Sequence, residues 1–289
     1  MHGAIILDKA EGISSHGAVV EVRRLLGERR IGHLGTLDPF ASGVLVLLLG
    51  KATRLGRFLG QLDKSYTGLI RLGYATDTYD RTGQASSPEH KLEAGAGDIR
   101  RELEAFQGTH LQMPPPISAK HVGGVRAYRL ARKGREVSLQ AVPVTIHEIE
   151  MLSLEGSLVG FRTRVSAGTY IRSLAHDLGQ RLGCGAHLES LRRTAVAGFH
   201  ESEAVRYEDL KRLSGEGTIP LLDAEHLLPE IPSLVLTEES ARSAAHGNAV
   251  AAEGAGRLLK LLDPSGDLIA IAERDGADSY HPVVVLAGE

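Results

Sequence analysis

The order of hydrophobic and polar positions along the 289-residue chain predicts short strands and helices without a fixed repeat. The apolar run at residues 3–9 predicts a strand. Ser14 or Ser15, followed by periodic apolar positions, predicts a capped helix that ends at Gly27. The longer apolar run at residues 44–50 predicts a buried strand.

The next segment continues this mixture. Residues 51–61 have the spacing of a helix, and residues 64–73 alternate like a strand before a polar turn. Residues 97–108 predict an amphipathic helix. The three prolines at residues 114–116 predict an extended, irregular loop, because proline lacks the N–H donor that a helix or ladder needs. Loops of this kind often carry binding or catalytic residues.

Residues 142–155 and 158–168 predict the two strands of a hairpin, followed by a helix from about Tyr170 to Leu182. Strands and helices therefore mix without a regular strand–helix–strand repeat. This pattern favours an α+β fold with antiparallel pairing.

The composition changes at residues 227–234, which are bounded by proline and followed by an acidic segment. Beyond this point the pattern predicts a short helix at residues 238–247 and then strands joined by a Pro-Ser-Gly turn. We therefore expect two domains, a larger one at residues 1–230 and a small β-rich one at residues 231–289.

The formal net charge of −3 conceals an uneven distribution of charge. Residues 1–199 carry 26 basic and 19 acidic side chains, a net charge of +7, whereas residues 200–289 carry 7 and 17, a net charge of −10. The first part is suited to a polyanionic partner. Residues 120–135 hold no acidic residue, which fits phosphate contact and equally a solvated helix face. The basic residues of this stretch are Lys120, Arg126, Arg129, Arg132, Lys133 and Arg135.

Cysteine content and the absence of long apolar runs indicate the compartment. The single cysteine, Cys184, excludes an internal disulfide, and no signal pattern or membrane-spanning run is present, so we expect a cytoplasmic protein. One cysteine, 13 scattered histidines and no HExxH or paired CxxC pattern predict no metal site. Glycine-rich nucleotide-binding motifs are also absent, which argues against a nucleotide cofactor.

Asp38 lies in a glycine-punctuated loop directly before the predicted buried strand. Gly32 and Gly35 permit unusual backbone angles, and Pro39 disfavours a helical conformation at the residue before it. A carboxylate so close to the core loses water, which raises its pKa unless partners keep it charged. An isolated Asp-Pro pair, by contrast, is more often a simple turn.

Two further features bear on Asp38. The acidic cluster at residues 76–80 raises the possibility of a glycosidase-like pair of Asp38 with Asp77 or Asp80, although turn chemistry explains the cluster equally well. Arg172, near the start of a predicted helix, is a candidate partner, because a guanidinium is always charged and offers a planar fork of donors. An exposed helix arginine is the alternative.

Six motifs occur in a fixed order, namely GHLGTLDPFASGVL, KSYTGLIRLG, GYATDTYDRTG, MPPPISAKHVGGVRAYRLARKG, SAGTYIRSLAHDLG and HLESLRRT, within a region that runs from DKAEGISS at residues 8–15 to LRRTAVAGF at residues 191–199. Together they resemble the TruB-type tRNA pseudouridine-55 synthases. The acidic C-terminal segment resembles the small PUA-like RNA-binding domain that often follows. The chain departs from the family pattern at Ala10, where proline is usual.

The resemblance implies the pseudouridine synthase fold, a mixed, largely antiparallel sheet flanked by helices. It implies an isomerase that flips a uridine out of the T-loop of tRNA at position 55, detaches the base, and reattaches it through C5 as pseudouridine. The T-arm stem-loop would be the partner. No metal and no small-molecule cofactor are implied, and we expect a monomer without membrane contact.

The resemblance also implies roles for individual residues. Asp38 is expected to be the catalytic aspartate, held ionised by Arg172, and Tyr66 is expected to stack on the flipped base. His33 resembles a wedge beside the flipped nucleotides, Tyr170 and Leu191 resemble pocket residues, and Lys9 and Asp80 resemble supports of the active-site framework.

Two other functional classes are alternatives to a stand-alone enzyme. The first is an RNA-binding scaffold that has lost catalysis, which the joint presence of Asp38, Tyr66 and Arg172 disfavours. The second is a guide-RNA-dependent relative that works inside a ribonucleoprotein. Such relatives resemble this chain with added basic extensions, whereas this chain starts just before the first region of resemblance and ends acidic, so we expect a stand-alone enzyme.

Overall fold

In a computed structural model of the chain, the described residues are 1–117, 121–122, 125–126, 140–252 and 256–287. The helices in these ranges are α1 Ser15–Leu26, α2 Gly56–Leu59, α3 Ala96–Glu104, α4 Ile171–Arg181, α5 Tyr207–Gly215 and α6 Glu238–Ala245. Short 3₁₀ segments lie at Gly50–Leu55, Glu201–Glu203 and Ala224–His226.

The strands of the first 200 residues are β1 Gly3–Lys9, β2 Ile31–His33, β3 Ser42–Leu49, β4 Lys64–Leu72, β5 Gly108–Gln112, β6 His121–Val122, β7 Val125–Arg126, β8 Val142–Glu155, β9 Leu158–Val165, β10 Ala186–Val196 and β11 Phe199–His200. The later strands are β12 Val205–Arg206, β13 Ser233–Val235, β14 Val250–Ala251, β15 Leu258–Leu262, β16 Leu268–Arg274 and β17 Ser279–Val285.

Most of these strands form one large sheet in the order β12-β1-β3-β10-β4-β9-β8-β5, with β2 beside β3 and β11 beside β10. Its pairs are antiparallel except β1 with β12 and β3 with β10. A second sheet has the order β13-β15-β16-β17-β14, and β6 pairs with β7 in a separate ribbon. The predicted α+β class, with a mixed, largely antiparallel sheet and a β-rich C-terminal part, is confirmed.

Helix α1 begins and ends as its sequence predicts. The side-chain oxygen of Ser14 accepts a hydrogen bond from the Gly17 N–H at 3.0 Å, and Gly27 ends the helix at φ +65°, a left-handed conformation that favours glycine. Ser14 is therefore the N-cap. Ser15 instead hydrogen-bonds both the N–H and the carbonyl of Leu37, at 2.8 and 3.0 Å, which ties the helix to the loop of Asp38.

Strand β3 is buried on both faces, which explains its uninterrupted apolar sequence. Leu45, Leu47 and Leu49 pack in the cluster that contains the buried residues of α1. The alternate residues Val44, Val46 and Leu48 pack in a cluster with residues of the second sheet. The buried strand residues that the second sheet contributes to that cluster are Leu268, Ile271 and Val284. The two sheets therefore share a hydrophobic core.

The local pattern did not predict every element. Strand β10 lies at the centre of the large sheet, but its charged residues disguise it. Glu189 pairs with Arg71 on the adjacent β4, and Arg192 pairs with Asp8 on β1, which lies beyond β3. Strand β17 was also not predicted. Residues 51–61 form a 3₁₀ segment and the four-residue α2 rather than one helix.

Most of the basic stretch at residues 120–135 lies outside the described residues. Within the described ranges, every helix is too short or too polar to cross a membrane.

The shared core gives a testable consequence. Ile271→Ala is expected to lower the free energy of unfolding by about 2–5 kcal/mol, because Ile271 is 0% exposed between the two sheets. Urea denaturation followed by circular dichroism measures this change. Val235→Ala, on the same sheet but 59% exposed, is the control and should change the free energy by less than about 0.5 kcal/mol. An Ile271→Ala effect confined to a separate transition would contradict the shared core.

Candidate active site

A cavity of about 270 Å³ lies where the loop before β3 meets β4, β10 and the start of α4. Five of the residues expected from the sequence line it, namely Asp38, Tyr66, Tyr170, Arg172 and Leu191. These residues are far apart in the chain, so the sheet order brings them together. The cavity is the candidate active site.

The loop that carries Asp38 is held from both sides. Ser15 at the start of α1 hydrogen-bonds the backbone of Leu37, and the carbonyl of Pro39 accepts a hydrogen bond from the Gly12 N–H at 2.8 Å. These bonds leave the Asp38 side chain between two anchored backbone positions. The aspartate is therefore presented by a shaped loop and not by a simple exposed turn.

Arg172 makes a bidentate ion pair with Asp38. Its Nε lies 2.9 Å from Asp38 Oδ2, and its Nη2 donates to Asp38 Oδ1 at 3.2 Å. The same guanidinium donates to the carbonyls of Thr78 at 3.0 Å and Ile117 at 2.9 Å, and its Nη1 lies 3.4 Å from Asp80 Oδ2. A buried guanidinium is tolerated when its donors are satisfied in this way.

The charge state of Asp38 reflects two opposed influences. Burial raises the pKa of the Asp38 carboxyl above its ordinary value, and the charge of Arg172 lowers it again. The nearby Asp80 raises this pKa further. The charge of Arg172 therefore offsets part of the effect of burial on the pKa of Asp38 without reversing it.

Asp80 is a saturated acceptor and does not line the cavity. Its Oδ1 accepts hydrogen bonds from the hydroxyl of Thr78 at 2.8 Å and from the N–H and hydroxyl of Thr82 at 3.0 and 2.6 Å. Asp77 lies exposed, with its Oδ1 bound to the Gln84 N–H at 2.9 Å. Neither carboxylate faces the cavity opposite Asp38, so the arrangement does not favour the glycosidase-like pair.

The start of α4 is fixed by a residue that the sequence did not indicate. The buried side chain of Gln112 accepts from the Tyr170 N–H at 2.8 Å and donates to the Tyr170 carbonyl at 3.1 Å. The hydroxyl of Ser173 donates to the Met113 carbonyl at 2.7 Å. These bonds hold the proline segment against α4. No local pattern distinguishes a glutamine that will be buried from one that will be exposed.

Two other expected residues lie outside the cavity lining in the described part of the chain. Lys9 is 1% exposed, and its Nζ donates to the carbonyls of Ala10 and Ile13, each at 2.8 Å. His33 lies on β2, in register with Leu47 of β3. Lys9 supports the first loop through backbone contacts, in keeping with its expected place in the framework.

Lys64 and Arg193 line the cavity although the sequence did not single them out. Arg193 is 1% exposed and donates to the carbonyls of Val44 at 2.8 Å and Gly35 at 3.1 Å. Burial, followed by the charge of Arg193, lowers the pKa of Lys64 to about 8 and that of Lys9 to about 8. A pKa of about 8 still leaves Lys64 mostly charged near pH 7. Lys64 and Arg193 together therefore make the cavity wall cationic, which suits a substrate that carries phosphates.

The contact between β3 and β10 that places Arg193 requires a glycine. Gly43 has φ +103°, and a Cβ added there would lie 2.2 Å from the carbonyl oxygen of Arg193. A side chain at this position would push the two backbones apart. The close packing of β3 against β10 therefore requires glycine at position 43, in the first motif.

The cavity thus combines a carboxylate paired with a buried arginine and two further cationic side chains. Comparison with known families specifies the class. The TruB family pseudouridylate synthase N-terminal domain matches residues 23–171, and the tRNA pseudouridylate synthase B C-terminal domain matches residues 172–229. The chain belongs to the TruB family of pseudouridylate synthases.

Curated relatives match over nearly the whole chain. The tRNA pseudouridine synthase B of Solibacter usitatus is 43% identical, with 99% of this chain and 100% of that protein covered. The protein of the same name from Thermobifida fusca is 41% identical, with 99% of each covered.

Solved structures share the fold at lower identity. The crystal structure of a Cbf5-Nop10-Gar1 complex contains a chain 28% identical with a TM-score of 0.76, covering 99% of this chain and 85% of that chain. An H/ACA RNP bound to a substrate RNA containing 2′-deoxyuridine has a chain 26% identical with a TM-score of 0.75, covering 99% and 86%.

The lowered pKa of Lys64 predicts a dependence of stability on pH. Between about pH 8 and the ordinary lysine value of 10.5, the unfolded chain binds more protons than the folded chain at this residue. The free energy of unfolding of wild type should therefore rise with pH relative to that of Lys64→Met. Urea denaturation at a series of pH values from 7.5 to 10 measures the difference.

The matched control for this prediction is Lys91→Met, because Lys91 is exposed and its ammonium stays in water in both states. Its difference from wild type should be nearly independent of pH. A Lys64→Met difference that stays flat, or that falls as pH rises, would contradict the predicted burial of the charged ammonium.

Proposed function

We propose that this chain isomerises uridine to pseudouridine at position 55 in the T-loop of tRNA. The observation that carries the proposal is the bidentate pair of Asp38 with Arg172 at the edge of a cavity walled by Tyr66. Membership of the TruB family and the names of the curated relatives support the same reaction.

The substrate uridine must leave the base stack before it reaches this cavity, as in other enzymes that act on a base. Tyr66 is 7% exposed and lines the cavity, so its ring is suited to stack on the flipped base. Tyr170 and Leu191 form further parts of the wall. We propose that His33, on β2 before the Asp38 loop, acts as a wedge against the neighbouring nucleotides.

The reaction breaks the bond between the ribose C1′ and N1 of uracil and forms a bond between C1′ and C5. The hydrogen on C5 leaves as a proton, and the released N1 takes up a proton, so that the product is an isomer of the substrate. We propose Asp38 as the catalytic residue, acting either as a nucleophile or in managing the ribose during bond cleavage. Arg172 orients its carboxylate through two donors, and Asp80 in turn contacts Arg172. Lys9 supports the adjoining first loop.

The isomerisation adds no atoms and transfers no electrons to another molecule. We therefore propose that it needs neither a metal nor a small-molecule cofactor. We also propose that the enzyme acts as a monomer in the cytoplasm.

Phosphate contacts are assigned to the first part of the chain. Lys64 and Arg193 place positive charge at the cavity wall, and residues 1–199 carry a net charge of +7. We propose that residues 1–230 form the catalytic domain and that residues 231–289 form a small PUA-like domain. Residues 231–289 carry 4 basic and 9 acidic side chains, a net charge of −5, which makes this second domain the weaker candidate for phosphate contact.

A stand-alone enzyme is favoured over a guide-RNA-dependent one. The relatives named tRNA pseudouridine synthase B are 41–43% identical over 99% of the chain. The chains in the H/ACA RNP and in the Cbf5 complex are 26–28% identical. The greater similarity to the former supports an enzyme that recognises tRNA without a guide.

Release of hydrogen from C5 provides the main test. With a T-arm transcript carrying tritium at C5 of its uridines, and with chelator present, wild type is expected to release tritium into water. Asp38→Asn is nearly the same size but cannot ionise, and it should lower the rate by about 10³-fold or more.

Asp77→Asn is the matched control, since Asp77 lies in an exposed turn outside the cavity lining, and its rate should stay within about twofold of wild type. If wild type binds the transcript but releases no tritium without a guide RNA, a scaffold or guide-dependent role is favoured instead.

Binding is expected to weaken with salt. The affinity of Asp38→Asn for the unmodified T-arm transcript should fall linearly on a log–log plot between 50 and 200 mM salt, because phosphate binding releases counterions. Adding Lys64→Met should reduce the slope by about one. Adding Arg257→Gln, at an 83% exposed side chain of the second sheet, should leave the slope unchanged. Affinity independent of salt would refute the assigned phosphate contacts.

A further inference from the structure

Helix α4 presents two side chains, one turn apart, to the turn at residues 76–80. Arg172 contacts the carbonyl of Thr78 at 3.0 Å and the carboxylate of Asp80 at 3.4 Å. His176 stacks on Tyr79, the residue between them, with ring centroids 3.8 Å apart and an interplanar angle of 10°. Residues four apart lie on one face of a helix, so α4 holds three consecutive residues of the turn.

The backbone of Tyr79 explains why this turn needs support. Tyr79 has φ +64°, a left-handed conformation that is rare for a bulky residue and easier for glycine or asparagine. Its N–H donates to the Thr76 carbonyl at 3.2 Å, and its carbonyl accepts from the Leu188 N–H at 3.0 Å. An aromatic side chain at such a position indicates that the ring itself has a use.

The contact of the Tyr79 ring with His176 accounts for the aromatic side chain. Neither Tyr79 nor His176 lines the cavity, so they are not placed to touch the substrate base within the described part of the chain. The Nδ1 of His176 is buried and makes no hydrogen bond to a described residue. Burial lowers the pKa of His176 and raises the pKa of Tyr79, so both rings are neutral near pH 7 and stack as uncharged groups.

We infer that the Tyr79–His176 stack is a positioning pair for the isomerisation. It holds the turn in the one geometry that directs the Thr78 carbonyl and the Asp80 carboxylate at Arg172, and Arg172 in turn orients Asp38. This inference rests on the proposed function, in which Asp38 is the catalytic residue.

The test compares variants that keep a ring with variants that remove one. Tyr79→Asn keeps a residue that tolerates positive φ but removes the ring, and His176→Ala removes the partner ring. Tyr79→Phe and His176→Phe keep the stack. For each, the single-turnover rate of tritium release from the labelled transcript, the Kd for the transcript by filter binding, and the melting temperature are measured.

The ring-removing variants are expected to lower the single-turnover rate by about tenfold, since small displacements at a reacting centre are costly, while Kd stays within about twofold. Phenylalanine at either position should restore the rate to within about twofold of wild type. The double variant Tyr79→Asn with His176→Ala should be no slower than the slower single variant, because one contact is removed in each.

Tyr74→Asn is the matched control. Tyr74 also packs on a histidine, His187, at 4.7 Å between centroids, but has no contact with Arg172 among those described. Its rate should match wild type.

A wild-type single-turnover rate for Tyr79→Asn would overturn the inference. So would a loss of rate that matches the fraction of unfolded protein, a weakening of Kd with no loss of rate, or an equal loss of rate in Tyr79→Phe. Failure of wild type to release tritium would overturn the proposed function and this inference together.

Discussion

A buried guanidinium governs the candidate site. Arg172 can remain charged away from water only because each of its nitrogens has a partner, and these partners belong to separate segments of the chain. They are Asp38 before β3, Thr78 and Asp80 in the turn after β4, and Ile117 at the end of the proline segment. Movement of any one segment would leave a donor unsatisfied, so the ion pair with Asp38 depends on all of them.

The sheets provide the second constraint. Strand β3 is buried on both faces, between α1 and the second sheet, and the loop of Asp38 is its direct extension. The acidic C-terminal part thus covers an apolar face of the large sheet. The two parts of the chain therefore differ in role as well as in charge. The basic first part surrounds the cavity, and the acidic last part packs against β3, the strand that follows the Asp38 loop.

Local periodicity was sufficient for β1, α1, β3 and the hairpin of β8 and β9, since the alternation of apolar residues reflects burial by any neighbour. It failed for β10, whose charged residues meet their partners only once β4 and β1 belong to the same sheet. The family motifs located Asp38, Tyr66, Tyr170, Arg172 and Leu191 at one cavity. They did not reveal Lys64 or Arg193, because a cation inside a motif looks the same whether it is solvated or buried.

By itself, the sequence determined the α+β class, the family and five of the residues around the cavity, because these follow from short-range pattern and from ordered motifs. Tertiary structure decided the geometry in which these groups meet and which further groups join them. Asp38 and Arg172 are 134 residues apart in the chain, and their pairing, the lowered pKa of Lys64 and the stack of Tyr79 on His176 exist only after the strands are aligned. The physical reason is that desolvation and ion pairing depend on distance in space, which no local pattern encodes.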